Sequence, residues 1–172
     1  MIALAELNRL PAAEFVRTLA GIFEHSPWVP ERVAAARPFA SREQLLDAML
    51  GAVAAAAPEV QLALIRAHPT LGLRGRARAT LTAASALEQS GAGLELCTDA
   101  EAARLEALNV AYAEKFSMPF VVAVRGHTPD TIIAACEHRL GNHADVERRT
   151  ALREIGLIAG FRLNDLISQR GE

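Results

Sequence analysis

The chain has 172 residues, 51% of them hydrophobic and 22% charged, a balance that excludes disorder and a fibrous repeat and fits one globular domain over residues 1–172. A formal net charge of −2 excludes the strongly basic footprint of a protein that lives on nucleic acid or on an anionic membrane, and leaves small neutral or anionic ligands open. Two cysteines, Cys97 and Cys136, are too few for a disulfide framework or a four-ligand zinc site and fit a reducing, cytoplasmic setting.

Seventeen arginines stand against one lysine, so any lysine-dependent chemistry must use Lys115. Alanine is the commonest residue, at 35 positions, and aromatics reach only 5%, which favours helices packed closely through small side chains. No apolar run approaches the ~20 residues needed to span a bilayer, and Met1 to Leu10 lacks the order of a signal peptide.

Along the chain, Pro11 and the four-residue spacing of Phe15, Leu19 and Phe23 predict a first helix, broken at Ser26-Pro27-Trp28. Ser41-Arg42-Glu43-Gln44 has the form of a capping box before a helix-forming stretch from Leu45 to Ala57, and Pro58 opens another that runs to His68-Pro69. A residue before proline is pushed out of the α region, so His68 is expected just past a helix end. The glycine- and arginine-rich stretch Leu71 to Arg78 reads as a loop able to act as a lid, and Thr82 to Ser90 as a helix.

Thr98-Asp99-Ala100-Glu101 is a second capping-box form, opening a helix through Leu105, Leu108 and Tyr112 to Phe116, ended by Met118-Pro119. The β-branched run Phe120 to Val124 finds no second strand to pair with and is expected as a short buried extended segment. Thr128-Pro129 launches a helix to about Arg139, and the spacing of Leu152, Ile155, Ile158, Ala159, Leu163 and Leu166 gives the last helix one apolar face. The sum is an all-α domain of about eight helices.

The candidate chemistry is sparse. His68 has a fixed backbone outside an apolar stripe and can transfer protons near neutral pH, although His-Pro also occurs as a plain helix stop. Ser85, Glu88 and Gln89 lie on about one helical turn and can hold a hydrogen-bonding ligand, or Ser85 and Glu88 can serve as a capping box. Arg162 suits bidentate carboxylate binding, or pairs with Asp165 three positions on. No metal site is expected: His138 and His143 do not stack on one helical face, and His-Glu-x-x-His is absent. His25 and His127 belong to turns, and neither cysteine has a nearby base in sequence.

Taken in order, Ser26-Pro27-Trp28, Arg37-Pro38-Phe39, Ala67-His68-Pro69 with Leu71-Gly72, Ser85-Ala86-Leu87-Glu88-Gln89, Leu108-Asn109 with Tyr112, Lys115-Phe116, Pro119 to Gly126 and Ala159-Gly160-Phe161-Arg162-Leu163 resemble the decarboxylases of 2-oxo-4-hydroxy-4-carboxy-5-ureidoimidazoline (OHCU). The resemblance covers Phe15 to Leu166. It implies an all-helical fold, a homodimer, and conversion of OHCU to (S)-allantoin and carbon dioxide in urate breakdown, with no metal or organic cofactor. It further implies that His68 is the proton donor and that Arg162 matches a family arginine; with the resemblance, Glu88 and Arg162 are read as catalytic beside His68. By the same resemblance Pro69, Ser85, Gln89 and the segment Phe120, Val121, Val122, Ala123 and Val124 bind substrate. Ser117 stands where the family often has glycine. Apart from the resemblance, a non-catalytic helical binding scaffold and a related cofactor-free lyase or isomerase on a ureido ring remain alternative readings.

Overall fold

The structure, a computed structural model, describes residues 1–72 and 79–168. Those residues form nine α-helices and one two-stranded sheet, which makes the class all-α. They group into two compact units, Met1–Ala67 with Ile155–Glu172, and His68–Glu154. The lid reading of Leu71 to Arg78 falls mainly on residues 73–78, which lie outside the described residues.

The first unit contains β1 (Ile2–Ala3), α1 (Leu4–Arg9), α2 (Ala12–Leu19), α3 (Trp28–Val33), α4 (Arg42–Ala54), α5 (Pro58–Arg66), the C-terminal part of α9 (Ala144–Leu166) and β2 (Ile167–Ser168). Phe15 and Leu19 are buried on α2 as their spacing predicts, but the helix stops before Gly21, and Phe23 reaches the core from the following turn. Ser41 caps α4 by accepting from the Gln44 N–H at 3.1 Å, while the Gln44 side chain accepts from Ala40 one residue farther back than a capping box requires. The helix ends at Ala54 and does not run to Ala57. Gln61, on the next helix, donates to the carbonyls of Val53 (3.0 Å) and Ala54 (3.2 Å), satisfying groups that the helix end leaves open.

Within this unit α9 lies against α4. A Cβ added at Gly156 or Gly160 would come within 3.2 Å of Leu50 or 3.3 Å of Leu46, so this four-residue glycine spacing sets how closely the two helices approach. Arg37 and Phe39 are likewise structural. The Arg37 guanidinium donates to the carbonyls of Ala34 and Leu10 and lies over the Phe15 ring, and the Phe39 backbone exchanges two 2.9 Å hydrogen bonds with the Asn8 amide. The two strands pair in parallel, Ile2 with Ile167 and Ala3 with Ser168, an element for which the sequence offers no periodic signal.

The second unit holds α6 (Ala83–Gly91), α7 (Asp99–Phe116), α8 (Pro129–Arg139) and the start of α9. Both arms of the Thr98–Glu101 capping box are present, and Glu101 is held below the usual carboxylate range by its hydrogen bonds from Thr98. Thr128 and Thr131 form the equivalent arrangement at α8, with Pro129 in its first turn. Lys115 donates to the carbonyl of Leu140, the C-cap of α8, at 2.5 Å, a helix-capping position that accounts for the single lysine structurally. Residues 120–124 are buried and lie outside any helix or sheet, as expected from their sequence.

Ser117 ends α7 in the left-handed conformation, at φ +55°. This is a position that glycine occupies without the Cβ penalty. Ser117→Gly is therefore expected to stabilise the fold by roughly 0.5–1 kcal/mol, seen as a rise of about 1–4 °C in thermal midpoint.

Candidate active site

His68 is the second residue past the end of α5 and the first of the second unit. Only 6% of it is exposed. A helix stop at the surface would not need a buried imidazole, so burial favours the chemical reading over the plain one.

The chain that follows His68-Pro69 is fixed from two sides. On α6, Gln89 accepts from the Gly72 N–H at 3.0 Å and donates to the Thr70 carbonyl at 3.4 Å. On α7, Asn109 donates to the Leu71 carbonyl at 3.0 Å. Gly72 itself has φ +72°, and an added Cβ would lie 2.5 Å from the Leu105 side chain, so only glycine fits this turn. Sequence reasoning assigns Gln89 to a ligand; in the structure its amide anchors the segment next to His68. Asn109 and Gly72 were visible only as parts of a motif, because nothing local announces contacts 17 to 38 residues distant.

On α6 the N-cap is Thr82, whose hydroxyl accepts from the Ser85 N–H at 3.3 Å. The capping reading of Ser85 with Glu88 is thereby removed: Ser85 sits inside the first turn, 4% exposed, and Glu88 half-buried one turn later. The polar side chains of Ser85 and Gln89 thus lie in the interior at helical spacing, where a solvated face would carry them outside.

The 120–124 segment is held by charged side chains. Arg139 Nη1 donates to the Val121 carbonyl at 2.7 Å, its guanidinium lies over the Phe120 ring at 4.6 Å, and the Ala123 N–H donates to Glu154 Oε2 at 3.0 Å. Arg139 is in turn paired with Glu147, which also accepts from the Tyr112 hydroxyl and from Asn142 at 2.7 Å. Burial alone would raise the Glu147 carboxyl; hydrogen bonds from Arg139, Tyr112 and Asn142, with the Arg139 charge, outweigh it and leave the group below its ordinary range. Burial, reinforced by the Glu147 hydrogen bond, pushes the Tyr112 hydroxyl up, so it remains a donor. Burial also pushes the Cys136 thiol up to about 11, which makes it a poor nucleophile at neutral pH.

Arg162 belongs to the first unit. It is 8% exposed, and its Nη1 donates to Glu24 at 2.8 Å and to the Gly21 carbonyl at 3.0 Å. It is therefore neither a surface residue nor a mobile one, and its charge is partly matched by a buried carboxylate. Elsewhere Glu137 pairs with Arg104 on the surface at 2.6 Å, and His127 meets Thr131 at 3.2 Å in the turn that opens α8. A cavity of about 520 Å³ runs along α7 past Thr70, Leu71, Gly72 and Asn109, but none of the predicted site residues lines it.

The sequence profile of the OHCU decarboxylase family matches residues 8–164. A 2-oxo-4-hydroxy-4-carboxy-5-ureidoimidazoline decarboxylase of Haloferax volcanii is 42% identical over 167 residues, covering 97% of each chain. A crystal structure of (S)-allantoin synthase superposes with a TM-score of 0.78 at 30% identity, covering 98% of this chain and 54% of that one. A crystal structure of an OHCU decarboxylase in the presence of (S)-allantoin superposes with a TM-score of 0.70 over 87% of this chain and 96% of that one, and at 20% identity supports the fold.

Proposed function

The chain belongs to the OHCU decarboxylase family, and from that premise we propose that residues 1–172 act as one domain, a carboxy-lyase converting OHCU to (S)-allantoin and carbon dioxide. The family match crosses both compact units, which supports treating them as one functional chain. The observation that carries the reading is His68, a buried histidine at the head of a segment that Gln89 and Asn109 hold in place.

Decarboxylation needs an acceptor for the electron pair of the breaking C–C bond. In OHCU the ring imine beside the carbon bearing hydroxyl and carboxylate supplies it. As carbon dioxide departs, the pair forms a carbon–carbon double bond and the imine nitrogen takes a proton, leaving an enol. Loss of the enol hydroxyl proton and addition of a proton to one face of the neighbouring carbon give allantoin. The protein's tasks are orientation, exclusion of water and control of that face.

His68 transfers the proton, and Glu88 orients the imidazole and stabilises its charged form. Pro69 fixes the backbone at His68, while Ser85 and Gln89, with Phe120 to Val124, bind the ring and ureido groups. Gln89 does so while holding Thr70 and Gly72, since its amide has hydrogen-bonding capacity beyond those two contacts. Arg162, oriented and partly neutralised by Glu24, holds a substrate oxygen without the tight grip on the ground-state carboxylate that would slow its loss. The active form is a homodimer, carried over from the family resemblance, and the setting is cytoplasmic; among the described residues no single helix is long and apolar enough to cross a membrane.

Release of carbon dioxide from freshly generated OHCU tests the reading: the protein should accelerate it well above the spontaneous rate, and equality with a buffer blank would contradict it. Glu88→Gln is expected to lower kcat by about 10–100-fold with the thermal midpoint nearly unchanged, because it removes charge at the imidazole and no helix cap. A collapse of stability with normal turnover per folded molecule would return Glu88 to a structural role.

A further inference from the structure

In a sheet, the carbonyl of one residue and the N–H of the second residue on share an edge of an extended strand, and both polar groups of the residue between face the opposite edge. Residues 120–124 have one such edge satisfied without any sheet. The Val121 carbonyl takes the Arg139 guanidinium at 2.7 Å, and the Ala123 N–H takes the Glu154 carboxylate at 3.0 Å. Val122 lies between them, buried, and among the described residues neither its N–H nor its carbonyl has a hydrogen-bond partner. A buried backbone pair of this kind must be satisfied somehow.

We infer that Arg139 and Glu154 are positioning residues, a cation on a carbonyl and an anion on an amide, which together turn the Val122 N–H and carbonyl towards an amide-bearing ligand. An adjacent donor and acceptor match the cyclic amide of OHCU or allantoin, which offers the complementary acceptor and donor. The inference rests on the proposed function for the identity of that ligand. Its two anchors differ in kind. Arg139 is locked into the buried cluster with Glu147 and Tyr112, so its loss disturbs the fold, whereas Glu154 reaches Ala123 from the last turn of the second unit's share of α9.

Glu154 therefore provides the test. Glu154→Met removes the acceptor and keeps length, and is expected to raise KM for OHCU and Kd for (S)-allantoin at least tenfold, with kcat within about threefold of the parent and α9 intact by far-ultraviolet circular dichroism. Glu154→Gln retains an acceptor oxygen for the Ala123 N–H and is expected to restore both constants to within about threefold. Unchanged KM and Kd in Glu154→Met would overturn the inference, as would equal losses in the two variants, which would assign the effect to charge. Parent protein that releases no carbon dioxide from OHCU would instead overturn the proposed function, an outcome distinct from either. In that case unaltered (S)-allantoin binding by Glu154→Met would remove the positioning role as well.

Discussion

His68→Asn is expected to lower the rate of (S)-allantoin formation by about 10²–10⁴-fold, the range that a positioned general acid or base contributes, while the thermal midpoint moves by only a few degrees. Asparagine approximates the imidazole in size and keeps a polar group at a site that is 6% exposed, so the neighbourhood stays filled. Gln89 and Asn109 hold the following residues through the backbone of Thr70, Leu71 and Gly72, and those hydrogen bonds do not involve the His68 side chain. Loss of activity should thus be separable from loss of fold. The allantoin that still forms should be racemic, since proton delivery to one face is the role proposed for His68. Parental rate with retained (S) configuration would show that another group delivers the proton.

The largest effect on stability is expected from Glu147→Gln. Arg139 and Glu147 form a nearly fully buried ion pair, with the Tyr112 hydroxyl and the Asn142 amide completing the carboxylate's partners. Removing one charge leaves the Arg139 guanidinium uncompensated in the interior, a loss of about 3–5 kcal/mol, or on the order of 10 °C in thermal midpoint. The pH dependence has a definite sign. The folded-state carboxyl lies below its ordinary value of 4.5, so its contribution is complete above about that pH and disappears as pH falls through the lower folded value. The gap between parent and variant in denaturant midpoint should accordingly be widest near neutrality and narrow in acid. A gap independent of pH would mean that packing, and not the Glu147 charge, holds the cluster together.

What could be read in the sequence was local. Capping residues Ser41, Thr98 and Thr128 and the helix-opening Pro58 and Pro129 placed most helix starts within a residue, because each acts on backbone groups within one turn. α1 escaped because six uncapped residues are too few to display a period, and α3 because Pro30 and two valines disguise it. The proline is tolerated because it lies in the first turn, where the missing N–H has no intrahelical partner.

The site divides in the same way. His68 stood out because the residue after it constrains its backbone, and Ser85, Glu88 and Gln89 because their spacing repeats the helical period. The anchors did not. Arg139 and Glu147 are eight residues apart across a turn, Gln89 reaches back to Gly72, and Glu24 meets Arg162 over 138 positions. No periodicity encodes such pairs; they follow from packing. The unpaired run at 120–124 is legible from composition, whereas its stabilisation by Arg139 and Glu154 arises from packing across 18 and 31 residues.

Circular dichroism of the product, followed from the moment OHCU is generated, distinguishes stereospecific decarboxylation from spontaneous decay. If the chain is a cofactor-independent decarboxylase that directs a proton to one face, catalytic amounts should give the circular dichroism signal of the (S) enantiomer alone, rising faster than spontaneous decay and without added metal or organic cofactor. A racemic product appearing at the spontaneous rate would contradict it.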